Sequence, residues 1–267
     1  MRRTGFVLVG LVVAAGLLSL LWAPFDPARV EPGGALLPPL RDGHLLGTDG
    51  LGRDVFSQVL VGARATLAVG VAAVLIASVL GVPLGVAAGM AGGWPSELVM
   101  RTTDLMLAFP ALLLALVLAA AFGASAVTGI VAVGISSVPV FARVSRAATL
   151  QVMAQEYVTA ARACGRRAPG VAVRHVLPNV APVLLVQATV AFAIAVTAEA
   201  ALSYLGLGVQ APTPSWGRML HENQAYLFTN PELVCWPALA IGLTVLGFNL
   251  AGDVLADRLD PARRARP

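Results

Sequence analysis

Long uncharged runs, separated by short charged islands, set the pattern of this chain. Gly5 to Ala23 carries no charge for 19 residues behind Arg2-Arg3. That is enough to cross a ~30 Å hydrocarbon core at ~1.5 Å of helix rise per residue. Ala65 to Ser96 is a second uncharged run, and Leu105 to Ala142 a third, 38 residues long between Asp104 and Arg143. As one straight helix the third run would measure roughly 57 Å, nearly twice the core, so the pattern predicts two spans folded back near Phe122-Gly123-Ala124-Ser125. Val176–Ala198 and Leu233–Gly252 supply the last two. The reading is an all-α polytopic membrane protein with six transmembrane helices. Pro83, Pro110 and Pro139 fall inside these runs, where neighbouring helices can satisfy the backbone groups that a proline frees. Small residues are dense in every run, as close helix packing in lipid requires.

The islands divide the chain. Residues 1–23 form an N-terminal anchor helix, expected as a signal anchor because LLWAPFD offers no small-x-small cleavage site. An extracytoplasmic loop, 24–64, is rich in Pro and Gly. The core domain, 65–261, holds five helices, a polar loop at 153–178 and a second outer loop at 203–232, and a tail occupies 262–267.

Composition sharpens this picture. Of 267 residues 58% are hydrophobic and only 12% charged, against ~25% charged in ordinary soluble domains. All 18 basic residues are Arg, which excludes a P-loop lysine and a Schiff-base lysine. Two cysteines and three scattered histidines make neither a disulfide framework nor a metal pattern. With the N-terminus inside, thirteen Arg (2, 3, 101, 143, 146, 162, 166, 167, 174, 258, 263, 264, 266) are cytoplasmic and five (29, 41, 53, 64, 218) are outside. This positive-inside asymmetry places both termini in the cytoplasm and accounts for the net charge of +4 without nucleic acid.

The 153–178 island then lies in the cytoplasm. Tyr157, Ala160, Ala161 and Cys164 fall at i, i+3, i+4 and i+7, which makes one apolar stripe on a short helix. Gln155, Thr159, Arg162 and Arg166 occupy the other side. Gly165 interrupts the helix, Pro169-Gly170 is expected to turn the chain, and a second run, VAVRHV, is expected to end at Leu177-Pro178. Such a hairpin cannot bury its stripe on itself, so it implies a partner.

Candidate chemistry is sparse. Glu199, at the outer end of the fifth span just past Ala198, is open to a helix-packing or a gating role. Arg101 and Asp104, one turn apart, suggest an i, i+3 ion pair. The His44, Asp49, Arg53 and Asp54 group sits among turn glycines with no nucleophile beside it. A proton-coupled secondary transporter would place carboxylates at mid-membrane depth, and none is found there. Six spans without an energy-transducing site, joined to a cytoplasmic hairpin with a spare stripe, describe a pore driven by a separate engine. A membrane scaffold is the remaining rival.

The segment Glu156-x3-Ala160-Ala161-x3-Gly165-x9-His175-Val176-Leu177-Pro178 resembles the EAA loop of ABC importer permeases. HLLGTDGLGRDV from His44, with Gly62, Arg64 and Leu67, resembles the C-type subunit of the dipeptide/oligopeptide/nickel branch. So do Leu202-Ser203-Tyr204-Leu205-Gly206-Leu207-Gly208, Pro212-x-Pro214-Ser215-Trp216-Gly217 and the tail Gly252-Asp253-x4-Asp257-x2-Asp260-Pro261. His175 replaces the aliphatic residue of the wider consensus, as that branch does; Gln58 and Ala211 are the departures. The resemblance implies a type I importer permease fold in a prokaryotic plasma (inner) membrane. It also implies a homologous B-type permease, two ABC ATPases or one fused ATPase, and an extracytoplasmic binding protein as partners, with lipid around the bundle. ATP and Mg would bind the ATPases, with no cofactor in this chain. Glu156 is assigned to docking on the ATPase, with Tyr157, Ala160, Ala161, Cys164, Gly165, His175, Leu177 and Pro178 completing the coupling loop. Asp49, Arg53, Asp54, Glu199, Ser215 and Trp216 are assigned to the outer loops, as binding-protein or gate contacts. The implied cargo is di- or oligopeptide; nickel chelates, haem or another small solute are the alternatives.

Overall fold

A computed structural model describes residues 3–259; Arg2 and the tail from Asp260, with its three arginines and the 262–267 segment, lie outside the described residues. Ten α-helices follow one another: α1 Thr4–Leu21, α2 Val55–Ala91, α3 Gly93–Ala108, α4 Ala111–Phe122, α5 Ala126–Met153, α6 Glu156–Ala163, α7 Ala168–Val171, α8 Leu177–Tyr204, α9 Trp216–Asn223 and α10 Glu232–Leu259. Five are long and apolar enough to cross a membrane, and the pair α3–α4 makes a sixth span if it is counted as one. The predicted fold-back is present. Gly123 takes a φ of +87°, and the Ser125 hydroxyl caps α5 by accepting the Thr128 N–H at 3.1 Å.

The bundle is built around α2 and α5, its most extensive helix pair. Gly81, Gly85 and Gly89 recur every fourth residue on α2, so they lie on one face. A Cβ on Gly81 would stand 2.7 Å from Phe141 Cβ, one on Gly89 2.7 Å from Thr149 Cβ, and one on Gly85 would overlap Ser145 and the Ala142 carbonyl. The missing side chains let the two backbones approach, which is the means of helix association where lipid supplies no hydrophobic drive. α8 packs on both members of the pair, α10 on α8, and α1 on α2 and α10.

Helix boundaries depart from the uncharged runs where caps and prolines intervene. α2 begins at Val55, ahead of residue 65, because Asp54 accepts the Ser57 N–H at 2.7 Å and starts the helix outside the apolar run. The third span is not one kinked helix: α3 and α4 meet at 80° across Phe109-Pro110, where Pro110 offers no N–H and pushes Phe109 into an extended conformation. Pro169-Gly170 does not turn the chain. Pro169 lies in the first turn of α7, where a missing N–H costs nothing. Pro178 does not end the helix either. Ala172–Val176 is a π-helical turn, and it carries the chain without a break from α7 into α8, past a proline that has no N–H to return. The expected Arg101–Asp104 pair is absent: Arg101 binds Glu97 at 2.6 Å, and Asp104 binds Arg143 of α5.

Gly85→Leu is expected to force α2 and α5 apart and to cost at least about 1–3 kcal/mol, read as a lower thermal midpoint of the detergent-purified protein. Gly10→Leu, where an added Cβ meets nothing within 4 Å, is expected to leave the midpoint unchanged. Equal midpoints for the two variants would contradict the role of the seam.

Candidate functional site

Chemistry-bearing residues gather at the two ends of the bundle. At the outer end the loop of residues 22–54 folds onto α9. Asp49 organises it: one carboxylate oxygen accepts the Leu51 and Arg53 N–H groups at 2.9 Å. The other accepts Arg53 Nε at 2.7 Å and Gln58 Nε2 at 2.9 Å. Arg53 also reaches across 169 residues of sequence to Glu222 Oε2 at 2.5 Å. Arg218 holds the other Glu222 oxygen at 2.6 Å.

This is a charge chain of Asp49, Arg53, Glu222 and Arg218 that ties the first outer loop to the second. Burial alone would raise the Glu222 carboxyl, but the hydrogen bonds and charges of Arg53 and Arg218 outweigh it and hold it below the usual carboxylate range. Burial works against the Arg53 guanidinium, yet Glu222 and Asp49 keep its proton held more tightly than usual.

Beside this chain His44 Nδ1 meets Asp54 at 2.9 Å and its ring lies 4.3 Å from that of Phe25. Asp54 thus both caps α2 and fixes His44. Trp216, capped by Ser215, donates its indole N–H to the Val59 carbonyl at 3.0 Å and fills the space left by Gly62. Glu199 lies below, accepting from Ser203 at 2.7 Å and from Thr66 of α2 at 3.3 Å. Asp49, Asp54, Glu199, Ser215 and Trp216 are all buried. They tie the outer end together from within. An open cleft of about 420 Å³ above them exposes Leu51 and Gln224.

At the inner end the hairpin is held from beneath. Val158 of α6, Val171 of α7 and Val176 of the π-turn are fully buried with Val86 of α2, Ala148 of α5 and Val180 of α8. Tyr157, Ala160 and Cys164 point away and are exposed; Ala161 is half-buried. Gly165 turns the chain with a φ of +80°, a left-handed conformation that favours glycine. His175 faces Tyr157 at a ring separation of 5.9 Å, so the two halves of the hairpin touch through these rings. Leu177 and Pro178, both exposed, open α8. Glu156 stands at the first position of α6, where the helix dipole favours a carboxylate, and its side chain makes no hydrogen bond or ion pair with any other described residue.

Sequence reasoning missed Arg218 and Glu222, although their i, i+4 spacing on a short helix was a readable signal. It missed the partnership of Gln58 with Asp49, which no local pattern announces. It also passed over Val158, because the apolar stripe next to it was the more regular feature.

Residues 81–265 match the family model described as "Binding-protein-dependent transport system inner membrane component". The dipeptide transport system permease protein DppC of Alkalihalophilus pseudofirmus is 38% identical over 270 residues, covering 99% of this chain and 88% of that protein. The glutathione transport system permease protein GsiD of Pectobacterium atrosepticum is 40% identical over 93% of this chain and 86% of its own length. The di/tripeptide permease DppC of Pseudomonas aeruginosa is 41% identical over 96% and 86% respectively. Among solved structures, an inward-facing form of the MetNI methionine ABC transporter superposes with a TM-score of 0.63 at 19% identity, covering 76% of this chain and 96% of that one. That likeness bears on the fold.

Glu222 has a depressed folded pKa, so its contribution to stability is present above its ordinary value of 4.5 and is lost as pH falls below that. Thermal midpoints measured from pH 7 to pH 3 are expected to drop on the acid side of that value. Glu222→Gln is expected to lower the pH 7 midpoint, a loss of about 1–3 kcal/mol, and to flatten the acid drop. An unaltered acid limb in Glu222→Gln would assign the transition to other carboxylates.

Proposed function

The chain belongs to the family of binding-protein-dependent transport system inner membrane components, and from that premise we propose that its α6–α7 hairpin couples a peptide pore to a cytoplasmic ATPase. It is a multi-pass permease subunit of an ABC importer, a non-catalytic member of a complex that also contains an ATPase and a substrate-binding protein. The finer assignments are our reading. The membrane is the inner membrane of a prokaryote, the other half of the pore is a homologous B-type permease, and the cargo is a di- or oligopeptide. ATP and Mg act on the ATPases alone.

The observation that carries the coupling role is the split personality of α6. Its Val158 is locked into the valine cluster while Tyr157, Ala160 and Cys164 face out. An element so anchored moves with the bundle when something pushes on its outer side. Glu156 and the exposed stripe fit a groove on the ATPase, and Gly165 lets the chain leave α6 toward α7. Closure of the ATPases on ATP then becomes a rigid-body rotation of α2, α5 and α8, and the pore exchanges its inward opening for an outward one. At the other end the Asp49–Arg53–Glu222 chain and Trp216 hold the outer loops in one shape, and the cleft beside Leu51 and Gln224 receives the binding protein. Peptide cargo is supported by the names of the full-length relatives from three organisms.

Cys164 is a built-in probe. With Cys235→Ser as background, maleimide is expected to label Cys164 in the isolated permease and to be blocked in the assembled transporter. Glu156→Ala and Gly165→Trp are each expected to cut ATP-driven uptake about tenfold or more, a loss of ~1.4 kcal/mol in coupling. Equal labelling in both preparations together with unaltered uptake would overturn the coupling assignment. Calorimetry of the binding protein with dialanine and trialanine tests the cargo: no heat with any free peptide would remove it.

A further inference from the structure

The two charged positions that bound the longest uncharged run meet in space. Arg143 of α5 binds Asp104 of α3, and their side chains remain 44% and 62% exposed. Arg143 stands ten residues before the end of α5 at Met153, about 15 Å up the helix from its cytoplasmic end. Asp104 stands eleven residues into α3, a similar rise. Glu97, Arg101 and Thr102 are also exposed on α3. These charges stand at the inner boundary of the apolar spans, where they avoid hydrocarbon by facing the bundle interior or water.

The break at Phe109-Pro110, one turn further on, gives the same answer by another route. Backbone that leaves the helix at membrane depth is tolerated where protein or water covers it, not lipid. Past the break, Leu112 lines an open, mostly apolar cleft of about 370 Å³ with Ala193, Ile194, Thr197 and Asn249.

We infer that the face made by α3, the break and α5 lines a water-filled inner vestibule of the pore, in which Asp104 and Arg143 form a station for the two charged ends of a zwitterionic peptide. This rests on the peptide reading given above. Half-solvated partners separate at little cost. When they part they offer a carboxylate to an α-ammonium and a planar guanidinium to an α-carboxylate, which the arginine fork can hold through two hydrogen bonds. When no cargo is present the two charges satisfy each other. The site is neutral overall, so it attracts neither a simple cation nor a simple anion for long.

The complete transporter in proteoliposomes tests this. In a Cys164→Ser, Cys235→Ser background, Asp104→Cys and Arg143→Cys are expected to react with a charged methanethiosulfonate reagent from the cytoplasmic side. Dialanine delivered by the binding protein is expected to slow that reaction. Asp104→Asn and Arg143→Gln are expected to lower dialanine uptake about tenfold, while Asp104→Glu keeps most of it, a rescue that separates charge from mere packing. Unreactive cysteines in every nucleotide state would mean that the partner subunit covers this face, and would overturn the inference. So would wild-type uptake by both neutral variants. If calorimetry finds no peptide bound to the binding protein, the cargo reading falls and this inference with it. If peptide binds and is transported but the variants are silent, only this inference falls.

Discussion

The seam between α2 and α5 is the constraint on which the remainder depends. Three glycines one turn apart bring two backbones together at Phe141, Ser145 and Thr149, over about 12 Å of helix. With no hydrophobic drive between helices in lipid, close van der Waals contact is a main means of holding such a pair. α2 begins at the outer network, since Asp54 caps it and Gln58 on its first turns holds Asp49. α5 ends two residues before α6. One packed pair thus runs from the polar network of the long loops to the hairpin. A displacement applied at either end is carried by a rigid body, because interiors packed at this density do not deform gradually.

The two ends are held by different physics. The outer end is rich in polar ties: buried carboxylates and guanidinium groups saturate one another and fix two long loops above an apolar cluster of Val55, Trp216, Met219 and Leu233. The inner end is apolar: valines from α2, α8, the hairpin and the π-turn lock together with Ala148 of α5. That difference suits the tasks proposed for them. A surface that receives a folded protein needs a fixed shape. A lever needs a firm root and an unoccupied outer face.

Much of this was legible in the residues. The succession of five or six apolar spans and the fold-back at Gly123 follow from charge spacing alone. The dense polar motif from His44 to Asp54 marked the outer loop. What was hidden has a common cause. The Arg53–Glu222 bond joins residues 169 apart in sequence, the Asp104–Arg143 pair joins two helices across a fold-back, and Gln58 finds Asp49 only once the loop has folded. Periodicity reads neighbours on one helix and is blind to such pairs. The prolines misled for the opposite reason. Pro169 and Pro178 are strong local signals for a stop, and tertiary packing together with a π-turn let the helix continue. Val158 was overlooked because one buried residue beside a regular stripe carries no pattern.

The central claim is that the hairpin and the α2–α5 pair move as one body under the ATPase. Spin labels on Thr159 of α6 and on Arg64 of α2, in the complete transporter, measure it most directly when distances are recorded with and without trapped ATP. The account predicts that the separation within this subunit stays constant while that between the Thr159 label and the equivalent hairpin of the partner permease changes. A shift of α6 against α2, with the two hairpins at a fixed separation, would contradict it.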